Sequence, residues 1–209
     1  MNAHNEGRVT GRLTRRGILQ GAAGAVAAGV GLSATALAAR KEGPAVTKGR
    51  IKQSVCNWCF LGDCSVQPMK LDDLCRHAAA MGIQSVELVD PPDWPTLKKH
   101  GLICAIANSH GFVKGWNHRE NWPMCKEKIE QAVDDCAAAG FPNVITFSGY
   151  REGMDDDVGL KNTVAGLKTV VGHAEKKKIT LCLEVLNSRV DTHPMKGHPG
   201  YQGDHTDYC

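Results

Sequence analysis

The sequence predicts an α/β fold with a parallel sheet, and three patterns support this prediction. Short apolar runs of strand length alternate along the chain with longer segments of helical period. The runs are continuously apolar, as in parallel strands that are covered on both faces. Glycines stand just before several strands, where a preceding helix would end in the left-handed conformation. Alternating strands and helices with short connections indicate right-handed crossovers between parallel strands.

Five strands are predicted after a polar linker over residues 39–50. They lie near Ile51–Cys56, Gln84–Val89, Leu102–Asn108, Asn143–Ser148 and Ile179–Glu184. The glycines expected to end helices are Gly82, Gly101 and Gly140.

The helices between these strands carry apolar stripes that we expect to face the sheet. The members of the three stripes are Leu71, Leu74, Cys75 and Ala78; Cys125, Ile129, Ala132, Val133 and Cys136; and Leu160, Val164, Leu167, Val171 and Ala174.

Two architectures satisfy this alternation, an open doubly wound sheet and a closed (β/α)8 TIM barrel. No Gly-x-Gly-x-x-Gly follows the first strand, which removes the best support for a dinucleotide-binding sheet. A closed barrel normally has eight units and about 250 residues. Only about five units are predicted here, so a barrel formed by this chain is expected to be incomplete, ending after the fifth strand and its loop.

The first 38 residues are predicted to be a cleavable export signal. Arg15 and Arg16 precede a weakly apolar Ala/Gly-rich run, which ends in the small-residue cleavage site Ala36-Leu37-Ala38. The paired arginines resemble the twin-arginine consensus, which implies the twin-arginine translocon as a partner and a periplasmic or other extracytoplasmic location. A membrane anchor is the alternative, but the glycines of the run would weaken a spanning helix.

The charge of the chain argues against nucleic acid as a partner. The formal net charge is +3, but residues 1–38 contain four arginines and one glutamate. Without that segment, 21 basic side chains balance 21 acidic ones. The remaining chain therefore has no basic field that would attract DNA or an anionic membrane.

Nine cysteines are present, an odd number that cannot pair completely within one chain. Several lie at apolar helix or strand positions, where a free cysteine packs as a small hydrophobic residue. Cys56 and Cys59 have the spacing of a metal-binding pair, but no second pair follows at zinc-finger distance. We therefore interpret the cysteines as structural.

The candidate functional residues stand at the ends of the predicted strands, where barrels place their chemistry. Glu184 is the most informative, because alternation puts it on the small-residue side of its strand with Thr180 and Cys182. An inward carboxylate without a partner is costly, and a metal or substrate would offset that cost. A carboxylate capped by loop amides is the structural alternative. The other strand-end residues are Asn57, Trp58, Glu87, Asp90, Asn108, His110, Ser148 and Asn187.

His110 and Glu87 are candidate substrate-binding residues with structural alternatives. His110 follows the third strand and is either a ligand at the barrel mouth or an ordinary loop histidine. Glu87 stands where it could bind sugar hydroxyls. Asn117, His118 and Arg119 lie in the loop before the helix that starts near Pro123. This loop is either a mobile lid or, in the favoured interpretation, a solvated loop.

The segment Leu183-Glu184-Val185-Leu186-Asn187-Ser188-Arg189, with the later His198-Pro199-Gly200-Tyr201 and Asp204-His205-Thr206, resembles hydroxypyruvate isomerase and its exported relatives. The wider group is the xylose-isomerase-like TIM barrel superfamily, which includes ketose 3-epimerases and endonuclease IV. The resemblance runs over residues 51–209 and implies a C-terminally truncated barrel.

The resemblance implies an isomerase or epimerase that acts on a small sugar or hydroxy-keto acid. It implies that Glu184 is both a metal ligand and a catalytic acid/base, that Asn187 binds substrate, and that the divalent metal is Mg²⁺ or Mn²⁺. Proton transfer would pass through an enediol. The family's other ligands come from later strands, so this chain alone is expected to lack isomerase activity.

Two other readings are less favoured. One is an inactive exported barrel or a carbohydrate-binding relic on the same scaffold. Another is an endonuclease IV-like hydrolase, which the neutral mature chain disfavours. A homo-oligomer is compatible with each reading.

Overall fold

The computed structural model describes residues 48–62 and 67–184, so the predicted export signal and Asn187 lie outside the described residues. Four strands lie in this part of the chain: β1 (Ser54–Cys56), β2 (Ser85–Glu87), β3 (Asn143–Thr146) and β4 (Thr180–Leu183). The five α-helices are α1 (Trp58–Leu61), α2 (Leu71–Met81), α3 (Trp94–Lys99), α4 (Trp122–Ala139) and α5 (Asp156–Lys177). Short 3₁₀ turns over Pro91–Asp93 and Arg119–Asn121 precede α3 and α4.

The strands form a parallel sheet in chain order. β1 pairs with β2 and β3 pairs with β4, both in parallel register. Single parallel bridges from Ser85 to Ile103 and from Ala107 to Val144 place the extended segment 102–108 between β2 and β3. The five predicted strand positions are therefore confirmed, although segment 102–108 forms only these bridges rather than a regular ladder.

Two of the three predicted helix stripes are confirmed. All five residues of the α4 stripe are buried. Leu74, Cys75 and Ala78 of α2 are buried as well, and Leu71 packs against the same core. Cys75, Cys104, Cys125 and Cys136 have no exposed surface, as expected for cysteines that pack as small hydrophobic residues.

The predicted stripe on α5 is largely wrong. Leu160, Val164 and Val171 are 39%, 43% and 37% exposed, while Ala174 alone of that stripe is fully buried and Leu167 partly so. The helix instead buries a row of smaller and more polar side chains: Gly159, Asn162, Thr163, Gly166, Val170 and Ala174.

The cause is the shape of the surface under α5. A Cβ atom on Gly166 would stand 2.5 Å from Cε3 of Trp116 and 3.0 Å from the indole of Trp122. The rings of Trp116 and Trp122 therefore fill the space beneath α5. Only a side of the helix that carries small side chains can pack against them.

Left-handed residues end the helices as predicted. Gly82 and Gly140 cap α2 and α4 with φ of 80° and 77°, and Gly101 has φ of 70° just after α3. Lys178 adopts the same conformation after α5 without being a glycine. Within the two described ranges, no helix is both long and apolar enough to cross a membrane.

Candidate active site

The carboxyl end of β2 is organised around the carbonyl oxygen of Leu88. The side-chain amides of Asn57 and Asn108 both donate to this oxygen, each at 2.9 Å. Leu88 has φ of 59°, a left-handed conformation that costs a residue with a Cβ about 1–2 kcal/mol. Two asparagines from the neighbouring strand ends thus hold a strained backbone turn at the mouth of the sheet.

The same turn places two carboxylates. Asn108 also donates to Oδ1 of Asp90 at 2.9 Å, which fixes that side chain beside the end of segment 102–108. Glu87 is half-buried and stands opposite Cys56 in the register of β1 and β2. Both therefore lie at the carboxyl ends of the strands, where the sequence predicted them.

His110 lies in a buried hydrogen-bond chain rather than in an open pocket. The residue is 5% exposed, and its Nε2 lies 2.8 Å from Oγ1 of Thr146. The same hydroxyl oxygen accepts a hydrogen bond from Nε1 of Trp116 at 2.8 Å. The rings of Trp116 and Phe147 pack edge-on against the imidazole.

The partners of His110 determine its tautomer. Nδ1 lies 3.0 Å from the carbonyl oxygen of Gly111 and 3.2 Å from that of Lys114, and carbonyls only accept, so Nδ1 carries the proton. Nε2 then accepts from the hydroxyl of Thr146. Burial lowers the pKa of His110 below its ordinary value, because the charged ring would lose its hydration. The imidazole is therefore neutral, with both nitrogens engaged, and a substrate would reach Nε2 only by displacing Thr146.

The loop that follows His110 is pressed against the chain after β3. A Cβ on Gly115 would stand 2.3 Å from the backbone of Ser148, so only a glycine fits this crossing. The backbone amide of Asn117 donates to the backbone oxygen of Ser148 at 2.9 Å. Loop residues and strand-end residues thus form one packed layer over the carboxyl end of β3.

The prediction of a solvated loop at Asn117–Arg119 is wrong for Asn117, which has no exposed surface. Asn162 of α5 donates to Asn117 O at 2.9 Å and accepts from Nε of Arg119 at 2.8 Å. The guanidinium of Arg119 also lies over Trp122, 5.3 Å from the ring centre. The loop is held by α5, because the small and polar side of that helix faces it.

Glu184 directly follows β4 and is exposed. Its backbone amide donates to Thr146 O at 3.0 Å, which carries the pairing of β3 and β4 one residue further. Ile179 and Leu181 pack into the core, so alternation gives the other side of the strand to Thr180, Cys182 and Glu184, as predicted. Although the residue is exposed overall, partial desolvation of the carboxyl group raises the pKa of Glu184 above its ordinary value.

The side chain of Glu184 is suited to a hard divalent cation. Glu184 offers carboxylate oxygens at the sheet mouth, the ligand type that Mg²⁺ and Mn²⁺ prefer. In residues 48–62 and 67–184, no three His, Cys, Asp or Glu side chains are grouped so that they could hold a metal ion. The chemistry of Glu184 fits the implied metal, and Glu184 is the residue that would hold it.

Sequence reasoning identified the strand-end residues but missed two that organise them. Thr146 joins His110 to Trp116, and Leu88 provides the carbonyl shared by two asparagines. A threonine at the end of an apolar run gave a weak signal for a buried hydroxyl. Nothing in the sequence marks a leucine for the left-handed conformation.

The sequence and the structure were compared with known proteins, and the solved structures that are similar share one fold. No family profile matches the sequence, and no curated protein matches it. Among solved structures, a D-psicose 3-epimerase determined in the presence of D-fructose is similar at 17% identity and a TM-score of 0.52, over 68% of this chain and 55% of that one.

Two further structures are similar to the same degree. A 3-keto-D-glucoside 4-epimerase from E. coli has 18% identity and a TM-score of 0.51, over 66% of this chain and 57% of that one. An AP endonuclease of family 2 from Brucella melitensis has 18% identity and a TM-score of 0.52, over 72% of this chain and 59% of that one.

These likenesses establish the fold. The described residues form part of an α/β barrel, with five parallel strand positions in chain order. The chain spans between 55% and 59% of the length of the three structures. The prediction of an incomplete TIM barrel, rather than an open doubly wound sheet, is therefore confirmed.

Proposed function

We propose that this chain is part of a divalent-metal-dependent isomerase or epimerase of the hydroxypyruvate-isomerase type. Its substrate would be a small sugar or hydroxy-keto acid. The single observation that carries the proposal is Glu184, a solvent-facing carboxylate at the end of a strand in this barrel. Two of the structures similar in fold are sugar epimerases by their descriptions.

The proposed role of Glu184 is to move a proton at a carbon next to a carbonyl group. Removal of that proton gives an enediol, and its return to the neighbouring carbon or to the other face completes the isomerisation or epimerisation. Desolvation raises the pKa of Glu184, which makes its carboxylate a stronger base than an ordinary glutamate. Glu184 is exposed at the end of β4, so its carboxylate is accessible to a substrate.

The other strand-end residues have supporting roles in this proposal. Glu87 and Asn187 are proposed to bind substrate hydroxyls, with Asn187 outside the described residues. His110 is proposed to act through its neighbours, since its nitrogens bind Thr146 and two carbonyls. When bound, a divalent cation would polarise the substrate carbonyl, with Glu184 as one of its ligands.

We further propose that the protein is exported by the twin-arginine pathway, through Arg15 and Arg16, and is cleaved after Ala38. The support is the sequence pattern of residues 1–38. These residues lie outside the described part of the chain.

The function is tested on the protein as its complete natural gene encodes it. Deuterium transfer from D2O into hydroxypyruvate or a ketose, with Mn²⁺ or Mg²⁺ present, reports the proton transfer directly. Glu184→Gln should abolish the transfer and leave the circular dichroism spectrum unchanged. Glu175→Gln, which changes an exposed carboxylate on α5, is the matched control and should retain full transfer.

Two results would contradict the proposal. Transfer by Glu184→Gln at the rate of the natural protein would remove Glu184 from the chemistry. Cleavage of DNA at abasic sites, without any proton exchange on sugars or hydroxy-keto acids, would favour the endonuclease reading.

A further inference from the structure

Two cysteines stand on either side of one short turn at the carboxyl end of β1. Cys56 is the last residue of the strand, and Cys59 is the second residue of α1. The turn between them is short and fixed, because Phe60 and Leu61 both donate their backbone amides to Asn57 O, at 2.9 Å and 3.0 Å. The turn places Cys59 close enough to Cys56 to raise the pKa of the Cys56 thiol.

The pair differs in exposure from the other described cysteines. Cys59 is exposed and Cys56 is half-buried beside it. Cys75, Cys104, Cys125 and Cys136 are fully buried, and the last three direct their thiols at backbone carbonyls. Cys182 is half-buried on β4. Among the described residues, Cys56 and Cys59 are therefore the one pair of cysteines that is joined by a single short turn and includes a member open to solvent.

We propose that Cys56 and Cys59 are a disulfide-forming pair, which a small-molecule disulfide such as glutathione disulfide oxidises to an intrachain bond. The bond would close a short ring across Trp58, a tryptophan that is 51% exposed at the mouth of the barrel. Its effect would be to fix the loop after β1, which Asn57 already ties to Leu88.

The reaction balances in two exchange steps. The Cys59 thiolate attacks one sulfur of glutathione disulfide, forms a mixed disulfide and releases one glutathione thiolate. The Cys56 thiolate then attacks the Cys59 sulfur of the mixed disulfide and releases the second glutathione thiolate. The chain loses two electrons and two protons, and one glutathione disulfide becomes two glutathiones.

The surroundings of Cys56 favour a lasting bond over a rapidly exchanging one. Burial raises the pKa of the Cys56 thiol to about 11, and the charge of Glu87 acts in the same direction. A thiol of high pKa is a poor leaving group, which slows reductive opening at the Cys59 sulfur. Catalytic Cys-x-x-Cys pairs have the opposite property, a depressed thiol pKa.

The test uses the full chain equilibrated with glutathione disulfide, followed by alkylation of free thiols and mass spectrometry. The peptide that contains Cys56 and Cys59 also contains Cys64, so fragmentation must locate the alkyl group. The expected result is a Cys56–Cys59 bond with Cys64 alkylated. A bond from either residue to Cys64, or full alkylation of Cys56 and Cys59, would overturn the proposal.

Variants separate the two steps. Cys56→Ser should trap the glutathione adduct on Cys59, whereas Cys182→Ser should close the bond as the natural chain does. In the natural chain, closure of a preformed adduct should accelerate roughly tenfold per pH unit between about pH 7 and pH 9, because the thiolate fraction rises by that factor well below the pKa. A Cys56→Ser chain that leaves Cys59 unmodified while folded by circular dichroism would also overturn the proposal.

Discussion

The hydroxyl oxygen of Thr146 lies 2.8 Å from Nε2 of His110, and this contact joins two neighbouring strands of the barrel at their carboxyl ends. Thr146 is the last residue of β3, and His110 begins the loop after segment 102–108. Through its backbone oxygen, Thr146 also accepts from the amide of Glu184. One threonine therefore touches both the buried histidine and the strand that carries the candidate catalytic carboxylate.

Replacing Thr146 by valine tests the strength of this contact. Thr146→Val keeps the shape of the side chain but leaves Nε1 of Trp116 and Nε2 of His110 buried without a partner. We expect a loss of about 2–4 kcal/mol in the free energy of unfolding, since each unsatisfied buried group costs about 1–3 kcal/mol. Urea denaturation measures the loss. Thr180→Val, at an exposed strand position, is the control and should stay within about 0.5 kcal/mol of the natural chain.

The stability of the fold should depend on His110 below neutral pH. Its folded-state pKa lies below the unfolded value of about 6.5, so the unfolded chain binds more protons between these two values. The stabilisation is fully present above about pH 6.5 and is lost as the pH falls toward the folded-state pKa. Unfolding curves from pH 8 to pH 5 should show this loss in the natural chain and a smaller one in His110→Gln. Equal pH dependence of the two proteins would contradict the neutral buried state.

Two glycines on α5 should respond to alanine in opposite directions. Gly166→Ala puts a Cβ 2.5 Å from Cε3 of the fully buried Trp116, and we expect a loss of about 1–3 kcal/mol. Gly172 has nothing within 4 Å of the added atom, so Gly172→Ala should stabilise the helix by about 0.5–1 kcal/mol. Thermal unfolding of both variants checks the pair. A stabilising Gly166→Ala would show that the helix does not lie against the tryptophan rings.

The export proposal predicts a precursor that stays in the cytoplasm when both signal arginines are replaced by lysine. The change preserves the charge and removes only the paired guanidinium groups, which the twin-arginine consensus requires. Cell fractionation and the mass of the mature N-terminus measure the outcome. Export and cleavage of the lysine variant at the natural rate would assign the segment to another pathway.

Much of the fold could be predicted because strand period and helix period are properties of local sequence. The α4 stripe from Cys125 to Cys136 is buried as its spacing requires. Glu184 stands at a strand end because the apolar run before it has strand length. The burial of the α4 stripe and the position of Glu184 depend on residues close in sequence, so they can be predicted from the sequence alone.

The features that could not be predicted depend on residues distant in sequence. The apolar residues of α5 predicted that the side with Leu160 and Val164 would be buried. The rings of Trp116 and Trp122 instead determine which side of the helix packs against the core. The buried side of α5 also has a helical period, but the sequence does not show that this side faces the two indoles. Its residues are Gly159, Asn162, Thr163, Gly166, Val170 and Ala174. The burial and hydrogen bonding of His110 likewise could not be predicted, because its partner Thr146 is 36 residues away in the sequence.

The exposed apolar side of α5 has a consequence for what this helix can bind. The helix packs on the rest of the described residues through small and polar groups, so its most hydrophobic side stays exposed. Within the described residues, Leu160, Val164 and Val171 therefore form an apolar patch, the kind of surface that packs against another structural element or another protein.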